Sequence, residues 1–282
     1  MALKYRSEID GLRAFAVLAV VVYHAEFVFA GMPVLSGGFI GVDVFFVISG
    51  YLITRLILSA IEKDKFSFLH FYERRARRIL PALFVVMLAS MPFAWIYMLP
   101  AAFKDYAWSI LSSLGFVSNL YFAQGVVYAD DFSTLKPFLH TWSLSVEEQF
   151  YLIFPVILIV LCHTVKRYLI PVMAVMFILS LQLAQYWSGT SPDTNFYLLP
   201  SRGWELIAGA ILAKLELDKT NAREFKGRFI LPALGLIIIC LSFVFFTDDM
   251  KHPGYISLLP IIGTMLIIRY AGSSDITSRL LQ

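Results

Sequence analysis

Residues 5–30 read YRSEIDGLRAFAVLAVVVYHAEFVFA, an apolar run long enough to enter a bilayer, with Arg13 near its start and His24 inside it. At roughly 100° per residue, the separation of eleven residues returns the two side chains to within about 20° of one helical face, about 16 Å apart along the axis. A guanidinium near one interface is then expected in line with an imidazole near the middle of the membrane. Titratable groups at such depth are costly and face polar cavities or partners rather than lipid, which makes the pair a candidate functional site. A boundary arginine and a hydrogen-bonded core histidine would account for the same two residues, so the rest of the chain has to decide.

The 282 residues are 59% hydrophobic and only 15% charged, against a charged fraction of about 25% in soluble domains. Uncharged runs at 79–103, 106–129, 168–192 and 229–247 are each near or above the ~20 residues a spanning helix needs. The hydrophobicity is continuous rather than alternating, which points to helices and not a barrel. The fold class is therefore an all-α polytopic integral membrane protein. Spans are expected at 11–30, 38–60, 79–100, 103–124, 143–163, 168–187, 197–215, 229–247 and 255–271, a bundle of eight or nine transmembrane helices. No small-residue cleavage pattern follows the first apolar run, so it reads as a retained span.

Orientation follows the lysines and arginines. Lys63, Lys65, Arg74, Arg75, Arg77 and Arg78 belong in the cytoplasm, which places the N-terminus there too. Lys166 and Arg167, and the stretch Lys214, Lys219, Arg223, Lys226 and Arg228, also favour that side. All three groups fit only if one apolar segment between 79 and 163 fails to cross fully; the Ser- and Asn-containing 103–124 segment is the candidate, as a tilted or re-entrant element. Cys162 and Cys240 read as buried small hydrophobes, with neither a disulfide framework nor a metal spacing. A net charge of +3 is too small to argue for nucleic acid, and no internal repeat of the kind that builds transporters is visible.

Four further stretches carry polar groups at membrane depth. GGFIGVDVFFVISGYLIT (37–54) embeds Asp43 among apolar residues and carries glycines suited to close helix approach. FYERRARRILPAL (71–83) sets four arginines in five positions against a span, with Pro81 expected in the first helical turns. Such arginines either set topology or dock phosphate through their planar forks. KPFLHTWSLSVEEQFYLIFP (136–155) brings His140, Trp142, Ser143 and Glu147 to the entry of one span. Ser143 or Ser145 would be the N-cap and an acid would lie in the first turn. PSRGWELIAGA (200–210) places Arg202 and Glu205 three residues apart, either as a self-contained ion pair or with Glu205 holding Arg202 toward a ligand.

In this order, the five stretches resemble the acyltransferase-3 family of membrane proteins, the O-antigen and peptidoglycan O-acetylase type. The resemblance implies a bundle of ten or more helices, of which this chain would be a C-terminally incomplete part. It also implies transfer of an acyl group, usually acetyl, from cytoplasmic acetyl-CoA to a hydroxyl of O-antigen, peptidoglycan or exopolysaccharide in the bacterial inner membrane. No metal is implied. Arg74, Arg75 and Arg78 then become expected coenzyme A contacts, and His24 the catalytic histidine with Arg13 as its basic partner. His24 would act as base or as transient acyl acceptor, Arg13 would steady the donor, and Asp43 or Glu147 would orient the imidazole. Members often continue into a periplasmic SGNH-type domain, whose GDS-type serine motif does not occur in these residues. The alternative is a proton-coupled transporter or flippase with Arg13, His24, Asp43, Glu147, Arg202 and Glu205 as a relay; a silent scaffold within a glycan-assembly complex is a third.

Overall fold

A computed structural model of the chain describes residues 6–29, 31–125, 136–218, 230–272 and 276–281. Their regular elements are helices apart from one minimal hairpin. The helices are α1 (Ser7–His24), α2 (Gly41–Ile61), α3 (Phe68–Tyr97), α4 (Pro100–Leu114), α5 (Ser118–Gly125), α6 (Thr141–Thr164), α7 (Leu169–Thr190), α8 (Pro192–Tyr197), α9 (Leu199–Asp218), α10 (Ile230–Phe245), α11 (Leu258–Tyr270) and α12 (Ile276–Leu280). Four stretches are long and apolar enough to cross a membrane, Gly38–Ile61, Phe68–Tyr97, Thr141–Thr164 and Lys166–Thr190; Ile230–Phe245 and Tyr255–Tyr270 are shorter apolar helices. Large apolar side chains face outward along them, among them Leu88 and Trp95 on α3 at 65% and 77% exposure, as lipid-facing positions do. The result is an all-helical membrane protein. The basic stretch 219–228, counted above toward topology, lies outside the described residues.

The chain divides into two compact units, residues 1–56 with 155–282, and residues 57–154. In the first unit, α1, α2, α7, α9, α10 and α11 enclose a core that includes Leu12, Ala16, Ile48, Tyr51, Trp204, Ala208 and Phe243. Without water to drive helices together inside a bilayer, their association rests on close backbone packing. Gly50 of α2 and Gly209 of α9 supply it: a Cβ at Gly50 would overlap the Leu206 carbonyl, and one at Gly209 would overlap the Val47 carbonyl and lie 2.6 Å from the Tyr51 nitrogen. The two helices run parallel, because Asp43 meets Arg202 at their starts and Tyr51 meets Glu216 about two turns further along α2 and four further along α9. The glycine-rich entry to α2 is used likewise, with Gly38 and Gly41 against the Ala19 and Ala16 carbonyls of α1.

Three boundaries differ from those expected, each for a physical reason. First, α1 ends at His24, not at residue 30. Glu26 takes a left-handed φ of 51°, and the apolar residues that follow form the antiparallel hairpin pairing Val28 with Pro33 and Phe29 with Met32, with Gly31 at φ 79°. Second, α3 begins at Phe68, where Ser67 Oγ accepts from the His70 amide, so Pro81 lies in the helix interior rather than in its first turns. Third, α6 starts at Thr141. Ser143 and Ser145 are therefore inside it and neither caps it: Ser143 Oγ donates to the His140 carbonyl at 3.1 Å, and Ser145 Oγ bonds Ser118 Oγ at 2.7 Å.

Within the second unit, the 103–124 segment is not one helix. It breaks between α4 and α5 at Phe116, whose φ is 52°, and the polar residues that set this segment apart surround the break. The Phe116 carbonyl accepts from Gln149 Nε2 at 2.9 Å, Gln149 and Asn119 exchange amide hydrogen bonds, and Ser113, Ser118, Thr141 and Ser145 link side chain to side chain. Interrupted backbone is tolerated in an apolar setting when protein groups satisfy it. Cys162 and Cys240 are both half-buried and outside any disulfide, a correction to their expected full burial.

Candidate active site

The first unit carries a buried ionic network at one end of the bundle. Asp43, in the first turn of α2, accepts from Arg202 Nη1 at 2.9 Å through Oδ1, and its Oδ2 lies 2.8 Å from His252 Nε2. Arg202, near the start of α9, also donates through Nη1 to Glu205 Oε1 at 3.1 Å and through Nε to the Phe196 carbonyl at 3.0 Å. The side chains of Asp43, Arg202 and Glu205 are 0% exposed and that of His252 only 5%. Full burial of charges is tolerable only when geometry and hydrogen bonds offset the loss of hydration. Here one guanidinium nitrogen, Nη1, bridges two carboxylates, and the guanidinium carbon lies 4.8 Å from the centre of the Phe196 ring. Glu205 Oε2 is buried with no hydrogen-bond partner among the described residues.

His252 belongs to the loop between α10 and α11, outside the helices. An ionised carboxylate only accepts, so the neutral ring donates from Nε2–H to Asp43 and its lone pair is on Nδ1. Burial holds His252 below the usual imidazole value and the Arg202 charge acts the same way, while Asp43 and Asp248 oppose them. At neutral pH the ring is therefore in its base form, with a carboxylate in place to stabilise the imidazolium. The loop is pinned at both ends: Tyr23 Oη donates to Asp248 Oδ1 at 2.6 Å, and Asn195 Nδ2 donates to the Pro253 carbonyl at 2.8 Å.

His24 is the last residue of α1 and is exposed, whereas Arg13 lies two turns inside the helix, 25% exposed and 3.7 Å from Asp10. The buried stripe of α1 is Glu8, Ile9, Leu12, Ala16 and Ala19. Arg13 and His24 share a flank roughly 100° from that stripe. The imidazole that Asp43 holds is His252, not His24; within the second unit, Glu147 accepts from Tyr151 Oη at 3.2 Å. His24 nevertheless sits at the same end of the unit as His252. Ring contacts run from His24 to Tyr23 at 5.0 Å, Tyr23 to Phe39 at 5.5 Å and Phe39 to His252 at 5.0 Å.

The opposite end of the unit holds a second ionic group. Arg6, Arg55 and Arg269 approach the Glu216 carboxylate at 3.8, 3.7 and 3.6 Å. Tyr51 Oη donates to the same carboxylate at 2.6 Å, and Arg6 also pairs with Glu8 and donates to the Ile268 carbonyl. It ties the ends of α1, α2, α9 and α11 together.

In the second unit, Arg74 and Arg78 are exposed and Arg75 is half-buried on α3. The Arg75 guanidinium stacks 4.1 Å from the Tyr151 ring and within electrostatic reach of Glu148, whose Oε1 is buried with no hydrogen-bond partner among the described residues. Arg77 pairs with Glu73 at 2.7 Å. At the α6 start His140 is exposed, Trp142 buried and Ser143 half-buried. His252 escapes sequence reasoning because it is a lone histidine in a short loop, 209 residues from its carboxylate partner.

Residues 6–275 match a family described as an acyltransferase domain. The chain is 33% identical to the peptidoglycan O-acetyltransferase OatA of Listeria monocytogenes, over 98% of this chain and 46% of the relative. It is 32% identical to the putative peptidoglycan O-acetyltransferase YrhL of Bacillus subtilis, over 99% and 45%, and 36% identical to the O-acetyltransferase OatA of Staphylococcus aureus, over 74% and 34%. The chain thus spans less than half the length of these relatives. No solved structure matches it. With the match running through nearly every described helix, the chain belongs to the acyltransferase-3 family of membrane proteins.

Proposed function

We propose that the chain is the membrane part of an O-acetyltransferase, moving an acetyl group from acetyl-CoA to a hydroxyl of an envelope glycan, peptidoglycan above O-antigen. The relatives are named as O-acetyltransferases, two of them for peptidoglycan, which favours acyl transfer over proton-coupled transport. The observation that carries the reading is the buried carboxylate–imidazole pair Asp43–His252, in the same unit and at the same end as the exposed ring of His24. An exposed imidazole is suited to attack a thioester carbonyl, so His24 is the transient acyl acceptor. Its ring nitrogen bonds to the carbonyl carbon as the C–S bond breaks, and the ring proton leaves with the thiol. Arg13, on the same flank, steadies the donor as charge develops.

Arg74, Arg75 and Arg78 hold the donor's phosphates, and His140, Trp142, Ser143 and Glu147 belong to the substrate path of the second unit. Arg202 and Glu205 keep Asp43 in place. The basic loops set a cytoplasmic N-terminus in a bacterial inner membrane with eight or nine crossings, and an SGNH-type domain or protein completes delivery to the glycan.

In membranes supplied with labelled acetyl-CoA, His24→Ala is expected to lower acetyl transfer by at least about 10²-fold, the scale of a lost catalytic side chain. Parental transfer by folded His24→Ala and Arg13→Ala proteins would refute the assignment. For the donor site, Arg75→Ala is expected to weaken coenzyme A binding and flatten its salt dependence, since a guanidinium–phosphate contact is screened by added ions. Unchanged affinity at every ionic strength removes Arg75 from that site.

A further inference from the structure

We propose that His252 is a catalytic base of this site: its Nδ1 takes the proton from the acceptor hydroxyl, Asp43 fixes the ring, and Arg202 with Glu205 positions Asp43. The proposal rests on the acetyltransferase reading above and adds a residue that nothing in the family match identifies.

The geometry supplies what a proton acceptor needs. One ring nitrogen is committed to a buried carboxylate at 2.8 Å, which fixes the tautomer and prepares stabilisation for the imidazolium. Nδ1 has no hydrogen-bond partner among the described residues. Charged groups face the ring from three elements: Asp43 on α2, Arg202 on α9 with Glu205 behind it, and Asp248 in the ring's own loop. The rings of Phe39 and Phe196 flank it in T-shaped contacts, at 5.0 and 6.3 Å between ring centres. His24, with no carboxylate of this kind among the described residues, lacks the same preparation for holding a proton. The two imidazoles therefore divide the work. As the glycan oxygen bonds to the acetyl carbon carried by His24, its proton passes to His252 Nδ1. The C–N bond to His24 breaks, and the proton returns to the departing imidazole, leaving an O-acetyl ester and both rings as they began.

The test uses membranes carrying the protein at its native length, with labelled acetyl-CoA and soluble peptidoglycan fragments. His252→Gln is expected to lower transfer to the fragments by roughly 10²-fold or more, with KM for acetyl-CoA unchanged within about twofold, the scale of an intact donor site, and with label retained on the protein. His252→Gly is expected to regain part of its rate when free imidazole is added, a response that a merely structural histidine would not show. Asp248→Asn removes a charge that favours the imidazolium, so the acidic limb of the kcat profile is expected to move to lower pH. Parental transfer by both His252 variants overturns the proposal, as does loss without imidazole rescue or an acidic limb that Asp248→Asn leaves in place. A parental protein that consumes no acetyl-CoA overturns the acetyltransferase reading, and this one with it.

Discussion

Arg202→Met is expected to destabilise the first unit by about 3–5 kcal/mol, the cost of leaving buried charge without its partner. Asp43 and Glu205 both depend on the same Nη1, at 2.9 and 3.1 Å, with no exposure through which water could substitute. The check is denaturant or thermal unfolding of the detergent-solubilised protein, followed by size-exclusion monodispersity. Adding Asp43→Asn and Glu205→Gln to the same chain is expected to recover much of the loss, because a neutral cluster no longer needs the guanidinium. That triple variant is still expected to be inactive, having lost the carboxylate that holds His252. An Arg202→Met protein as stable as its parent would show the network to be dispensable for folding.

Gly209→Leu is expected to exceed the 1–3 kcal/mol typical of an overfilled core, because the obstruction is backbone and not a movable side chain. Its Cβ would enter the Val47 carbonyl and approach the Tyr51 nitrogen at 2.6 Å, so α2 and α9 would have to separate along their whole crossing. Gly203→Ala, six residues earlier on α9, is the control: the Cβ there meets only Ser180 Oγ at 3.6 Å, an ordinary contact. Folded yield after solubilisation should collapse for the first and hold for the second. Equal yields would mean that the glycine crossing does not determine the packing.

The helical membrane class, the positions of most helices and the use of glycines 38, 41 and 50 as close-packing sites were legible from continuous hydrophobicity and small-residue spacing. The end of α1 was not, since Phe27, Val28 and Phe29 suit a helix in lipid as well as the hairpin they form. Arg202 and Glu205 were legible as a pair from their spacing of three. Their joining to Asp43 was not, because a contact between α2 and α9 leaves no periodic trace. His252 was the least accessible: local sequence gives its type and its loop, while its meaning comes from a partner on another helix. The break at Phe116 lies between these cases, flagged by the serines and asparagine of 103–124 but located only by Gln149 and its neighbours.

The parallel pair α2 and α9 is fastened at two levels, by Asp43–Arg202 at the start of both helices and by Tyr51–Glu216 with its three arginines at the middle of α2 and the end of α9. Sliding one helix past the other by a single residue, about 1.5 Å, would break both fastenings at once. The pair therefore moves as one strut. The hairpin that pairs Val28 and Phe29 with Pro33 and Met32, and the loop that presents His252, lie outside that strut, so either can shift without undoing its two fastenings.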